Sequence, residues 1–430
     1  MKILKVGEFK AKFLCKLIKR YSKYPQPVES IVQKIAEDIK RNGDKALFNY
    51  IKKYDNVVLD IDKLKVTDNE IKQAYSEISN VKIKAIKVAS KNIYEFHKIQ
   101  KDRLEFKTKS DGVYLGQIAR PIESVGIYSP GGRNPYPSSI LMCAIPAKVA
   151  GVRKIIACTP PNINEEIDPT ILVAADQAGV NQIYKVGGAQ AIAAMAYGTE
   201  SIPAVDRIVG PGNIYVTAAK SYVSRNVAID FPAGPTELVI IADESANFNF
   251  IASDILAQAE HDPNSIVILM ILSEKVANEV EANIEERKKD LSRKEIIESS
   301  LNKNGFIIIV EDLVEAISLS NDIAPEHLGI FTRKPYQLLN KVQNAGAIFL
   351  GEYSPVALGD YTIGTNHVLP TGGWARVYSG LSIRDFMKTI SFVNCSSKSL
   401  EKLADETITM SEMEGLDAHS YSIKARRRKV

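Results

Sequence analysis

From about residue 120 onward, short runs rich in β-branched residues alternate with helical segments, and this alternation restricts the chain to few architectures. "SVGIYSPGG" reads as a strand running into a glycine turn, and "YPSSILMCAIPAKVAG" as a helix. "KIIACTPP", "NQIYKVGG" and "DRIVGPGN" read as further strands, each followed by a helix: "PTILVAADQAG", "AQAIAAMAYG" and "IYVTAAKSYV". Repeated βα units of this kind form parallel sheets whose faces the helices cover. The pattern restarts at "ELVIIADE" and continues through "SIVILMIL", "GFIIIVED", "HLGIFT" and "AIFLG". The fold class is therefore α/β, with two tandem Rossmann-like parallel-sheet units joined near "DFPAGPTE".

The flanking segments read differently. Residues 27–110 look mostly helical, and "ESIVQKIAEDIKRNGDKALFNYIKKYD" shows the 3,4 spacing of an amphipathic helix broken at "NGD". The opening "MKILKVGEFKAKFLCKLIKRY" is basic and amphipathic and predicts a docking helix. Beyond residue 380 come helical stretches and a basic tail, "KARRRKV". The 430 residues suffice for two or three domains, each with its own core.

Several function classes lose support at this level. A net charge of +4 is small for the length and gives no reason to expect nucleic acid or membrane as a partner. The longest apolar run, Ile266 to Leu272, is far short of the roughly 18 residues a membrane span needs. Cys15, Cys143, Cys158 and Cys395 are far apart and form no CxxC, which fits a reducing compartment and argues against a thiolate zinc site. Cys143 and Cys158 read as small buried residues.

Parallel sheets bind ligands at the carboxyl ends of their strands. The turns "YSPGGRNPYPSS", "VGGAQA" and "VGPGNIY" each lead from a strand into a helix N-terminus, where free N–H groups can receive phosphate. None is the GxGxxG of a standard dinucleotide fold, and each alone reads better as an empty tight turn, while three in one unit speak as much for a phosphate-bearing ligand. The polar residues of interest are placed similarly. "QAEHDP" sets Gln258 and His261 three apart at a helix end, a spacing that suits a metal or plain hydrogen bonding. "ALGDYTIGTNHVLPTGG" holds Asp360 and His367, "EGLDAH" holds Glu414 and His419, and "APEHLGI" holds Glu326 and His327 side by side.

Together with "GIYSPGGRNPYPSSILMCAIPAKVAGV", "GGAQAIAAMAYGTESIPAVDRIVGPGNIYV" and "AGPTELVIIADE", these segments resemble the histidinol dehydrogenase family over residues 125–420. The resemblance implies two successive NAD-dependent oxidations, from L-histidinol through the aldehyde to L-histidine. It implies zinc held by Gln258, His261, Asp360 and His419, a set of N and O donors that suits this metal. It casts His327 as the base for alcohol oxidation and Glu326 as the base that activates water for the aldehyde step. Thr236, His367 and Glu414 would join the zinc ligands and His327 in contacting substrate, and Tyr128, Gln190 and Asn213 would bind NAD. Thr236 stands where the family commonly has serine, and Asn134 and Pro135 stand where small residues are frequent.

The implied organisation is a 1–21 helical arm, a discontinuous catalytic domain at 22–127 and 236–380, an NAD domain at 128–235 and a helical tail at 381–430. It also implies a cytoplasmic homodimer with exchanged terminal segments, in which Glu414 and His419 serve the partner's site. A paralogue acting on another small alcohol is the nearest rival reading. A ligand- or nucleic-acid-binding protein that uses the basic tail is the more distant one.

Overall fold

The computed structural model describes residues 1–18, 20, 26–131, 134–232 and 234–427. Parts of the arm, of the first glycine turn and of the basic tail lie outside them. Among the described residues fourteen strands follow in chain order: β1 (Lys2–Lys5), β2 (Phe106–Ser110), β3 (Val113–Pro121), β4 (Ser124–Tyr128), β5 (Lys154–Thr159), β6 (Gln182–Lys185) and β7 (Arg207–Val209); then β8 (Ala228–Ile229), β9 (Glu237–Ala242), β10 (Ile266–Ile271), β11 (Gly305–Ile309), β12 (His327–Phe331), β13 (Ala347–Leu350) and β14 (Met387–Cys395). They form a five-stranded sheet, β6-β5-β4-β7-β8, a six-stranded sheet, β1-β11-β10-β9-β12-β13, and a three-stranded sheet, β14-β3-β2.

The two larger sheets are parallel throughout. β9 (ELVIIA) and β4 (SVGIY) are buried at every position. A strand covered on both faces can be apolar without alternation, which is why these runs are continuous in the sequence. The helices Gln26–Tyr50 and Asn80–Asp102 pack over helices of the five-stranded sheet, namely Gly188–Tyr197, Ile214–Val223 and Pro137–Ala150. Cys143 and Cys158 lie wholly inside this core, and burial pushes both thiols up.

Residues 6–18 and the helices Ser397–Met413 and Asp417–Lys424 bear out the helical expectation for the two ends, and one stretch at each end departs from it. Residues 2–5 form β1, an edge strand in parallel register with β11, Lys2 opposite Phe306 and Lys5 opposite Ile309. Short helical turns follow, and Phe9 buries its ring edge-on against Phe306 with centroids 5.4 Å apart. The arm thus docks on its own chain's sheet, because the open β11 edge offers backbone partners that a helix would not use. Near the other end, "MKTISFVNC" is β14, paired antiparallel with β3 over nine residues. Its Thr, Ile, Phe and Val favour a pleated surface, and only tertiary pairing reveals the preference.

Candidate active site

The two parallel sheets face each other across a cavity of about 310 Å³, and they present opposite edges to it. The five-stranded sheet offers the carboxyl ends of its strands. Between β4 and β7 its strand order reverses, and the turn Gly210–Asn213 after β7 lines the cavity with Tyr136, Ser138 and Ser139. The six-stranded sheet offers its amino edge: Thr236 precedes β9, and Glu326 and His327 open β12. Gln258 and His261 end the helix that leads to β10. Asn213 thus lies in a turn after a strand, as the glycine-turn reading expects, while Gln258 and His261 stand at a helix end and Glu326–His327 at the start of a strand, also as read. The polar residues of the six-stranded sheet sit where helices end and strands begin.

The helix Leu313–Ile323 stops at Ala324, whose φ of 52° is a left-handed conformation seldom adopted by a residue with a side chain. Pro325 follows and turns the chain into Glu326–His327. Backbone bonds from Gly346 N–H to the Pro325 carbonyl and from Ala347 N–H to the Glu326 carbonyl, both 2.9 Å, clamp this turn to β13. A non-glycine residue held in that region at a site is locally strained, and the surrounding bonds hold it.

Glu326 and His327 both hang from the peptide units of Glu237. The Glu326 carboxylate accepts the Glu237 N–H at 2.9 Å and the Thr236 hydroxyl at 2.5 Å. His327 places Nδ1 3.1 Å from the Glu237 carbonyl oxygen. A carbonyl only accepts, so Nδ1 carries a proton, and in the neutral form of the ring Nε2 has the lone pair. That Nε2 lies 3.8 Å from Asp360, on the cavity side. Burial raises the Glu326 pKa to about 7, against the opposing pull of His327 and the Thr236 and Glu237 donors.

The Thr236 hydroxyl also accepts a hydrogen bond from Gln258 Nε2, which ties that side chain to Glu326 through Thr236. His261 is exposed on its cavity side, yet protein packed around it lowers its pKa; His327 adds to this and Asp360 opposes it. His367 donates from Nδ1 to the Asp360 carbonyl at 2.8 Å, and burial lowers its pKa too. Thr236, Gln258, His261, Glu326, His327, Asp360 and His367 are thus brought together, with Asn213 across the cavity.

Four candidates stand elsewhere. Glu414 and His419 are exposed on the C-terminal helices, away from the cavity. Tyr128 and Gln190 are buried behind it, 4% and 1% exposed. The Tyr128 hydroxyl accepts the Gly188 N–H at 3.1 Å. Gln190 Nε2 and the Gly187 N–H, each at 3.2 Å, share Asp55 Oδ2. Asp55 falls at the end of a lysine-rich stretch that reads as a solvated helix face, so nothing in the sequence marks it. Burial raises its pKa, and its two donors oppose the rise.

The buried pair Lys220–Asp230 also escapes the sequence reading. Nζ lies 2.6 Å from Asp230 and 2.9 Å from the Gly210 carbonyl, and Asp230 accepts the Gly210 N–H at 2.9 Å. Together they hold the N–H and the carbonyl of Gly210, where the turn that carries Asn213 begins. Among the described residues, no group of three or more His, Cys, Asp or Glu is assembled to hold a metal. His261 and Asp360 offer an imidazole and a carboxylate to the cavity, and the amide of Gln258 stands behind Thr236 of the same lining. These N and O donors fit zinc, while the fourth implied ligand, His419, is remote in the same chain.

The family model for histidinol dehydrogenase matches residues 18–427. The chain is 48% identical over 427 residues to the histidinol dehydrogenase of Methanocaldococcus jannaschii, covering 99% of both proteins. To that of Archaeoglobus fulgidus it is 47% identical over 399 residues, 93% of this chain and 95% of the other. The crystal structure of histidinol dehydrogenase from Elizabethkingia anophelis superposes with a TM-score of 0.93 at 40% identity, covering 99% of this chain and 98% of that one.

Proposed function

The chain belongs to the histidinol dehydrogenase family, and from that premise we propose how its residues carry L-histidinol through two oxidations to L-histidine, the last steps of histidine biosynthesis. The observation that carries the reading is the pair of bases held on the peptide units of Glu237. His327 takes the hydroxyl proton at Nε2 in the alcohol step, since its other nitrogen is occupied by the Glu237 carbonyl. Glu326, with a pKa near 7, then draws a proton from the water that attacks the aldehyde. Two bases suit two proton removals in sequence. Thr236 and His367 border the substrate, and Glu414 offers a carboxylate to its cationic end.

NAD, when bound, supplies the hydride acceptor, and zinc, when bound by Gln258, His261, Asp360 and His419, supplies a Lewis-acidic anchor for the substrate. Asn213 faces the NAD space directly; Tyr128 and Gln190 reach it through the turn at Gly187–Gly188. In this reading residues 128–235 form the cofactor unit and 236–380 the core of the catalytic unit.

The protein works as a homodimer in the cytoplasm, and its C-terminal segment completes the partner's site. The exposed apolar side chains there support this, among them Leu403, Met410, Met413 and Tyr421. No helix among the described residues is long and apolar enough to cross a membrane.

NADH formation from L-histidinol, with and without a chelator, is the test. The expected result is turnover that the chelator abolishes and zinc restores; no turnover with zinc supplied sinks the proposal. His327→Ala slows alcohol oxidation, and Glu326→Gln mainly the aldehyde step, each by roughly 10²–10⁴-fold. An intact aldehyde step in Glu326→Gln would remove Glu326 from its role.

A further inference from the structure

Glu237 is held by its side chain as well as by its backbone. Its carboxylate, 3% exposed, accepts Nε–H and Nη2–H of Arg20 at 2.5 and 2.7 Å and the Gly372 N–H at 2.9 Å. Arg20 comes from the N-terminal arm, outside the cavity lining. It donates further to the carbonyl oxygens of Leu17 at 2.5 Å and Ile323 at 3.0 Å. Ile323 is the last residue of the helix that runs into Pro325–Glu326–His327. One guanidinium therefore grips the start of β9 and the helix end before β12, the two pieces of backbone whose alignment sets both bases. The planar fork of arginine suits this task, because it fixes direction as well as distance; an ammonium is a point charge.

We propose that Arg20 is a positioning residue: through Glu237 it holds the backbone N–H that orients Glu326 and the carbonyl that orients His327. The inference rests on the functional reading of those two bases. A misplacement of about 1 Å at reacting groups can cost on the order of 10²-fold in rate. Because both bases depend on Glu237, both oxidations suffer together, whereas replacing a single base separates them.

The experiment compares Arg20→Ala and Arg20→Lys with wild type in the zinc-loaded enzyme. It measures kcat and KM on L-histidinol and on the aldehyde, with nitrogen NMR of the His327 ring. The expected result for Arg20→Ala is a fall in kcat of roughly 10- to 100-fold on both substrates, with KM nearly unchanged. The His327 ring passes from the single Nδ1–H tautomer to a mixture. Arg20→Lys recovers part of the rate, and millimolar guanidinium recovers part of it in Arg20→Ala. Wild-type kcat on both substrates with an unchanged tautomer overturns the proposal. If Arg20→Ala does not fold, Arg20→Lys, which keeps the charge without the fork, is judged by the same criteria. A wild-type protein inactive on histidinol rejects the functional reading instead, and the tautomer measurement still decides the role of Arg20.

Discussion

Thr236 shows what one hydroxyl does in this site. It donates to Glu326 and accepts from Gln258, so it links a base to an implied zinc ligand. Thr236→Val keeps the shape and removes the link, leaving a buried carboxylate short of one donor at a cost of about 1–3 kcal/mol. The expected outcome is slower aldehyde oxidation and weaker zinc retention on dialysis, with both kept in Thr236→Ser.

Asp254 makes a second prediction, this one of stability against pH. It sits on the helix Phe248–Ala259, and burial raises its pKa from 3.8 to about 6. The fold thus prefers the neutral acid. Relative stability is fullest below the unfolded pKa, near 4, and is lost as pH rises through 6. Asp254→Asn is expected to melt at a higher temperature than wild type at pH 8, with the difference vanishing near pH 4. An equal difference at both values would show that its ionisation has no part in it.

At this scale the sequence displayed the two proposed bases and hid what holds them. Glu326 and His327 stand out as neighbours in a recognisable segment. Arg20 and Glu237 are 217 positions apart, and no local pattern announces their contact.

Among the elements, the turn after β7 is the most exacting. Gly210 has φ 116°, and a Cβ there would run into the Tyr128 carbonyl oxygen. Gly210→Ala is expected to destabilise by more than about 1–2 kcal/mol. Because the turn carries Asn213, the KM for NAD should rise more than that for histidinol; a proportionate rise in both would argue against the assignment of Asn213. The buried strands of the two parallel sheets were legible because a run such as "ELVIIA" has few other uses. β1, β2, β3 and β14 were not. They are partly exposed, lysine-rich or short, and they become strands by pairing with segments distant in sequence.

For the whole molecule, the separation of His419 from the cavity gives a test of exchange between subunits. A His419→Ala chain paired with a Glu326→Gln chain, each impaired in carrying histidinol through to histidine, would form in a mixed dimer one site with every residue intact, so the activity read is histidine formation. Co-refolding the two in equal amounts is expected to restore about a quarter of wild-type activity, since half the dimers are mixed and each has one complete site of two. If His419 serves its own chain, mixing restores nothing.

The opposed sheet edges have an electrostatic consequence that precedes any side chain. The five-stranded sheet points helix beginnings at the cavity, those of Pro137–Ala150 and Ile214–Val223. The six-stranded sheet points helix endings at it, those of Phe248–Ala259 and Leu313–Ile323. Aligned peptide dipoles leave the first wall positive and the second negative. The reaction proposed above, which brings an anionic dinucleotide to a cationic amine beside a divalent metal, would have its charges favoured by these backbone dipoles. The same cavity turned end for end would repel both.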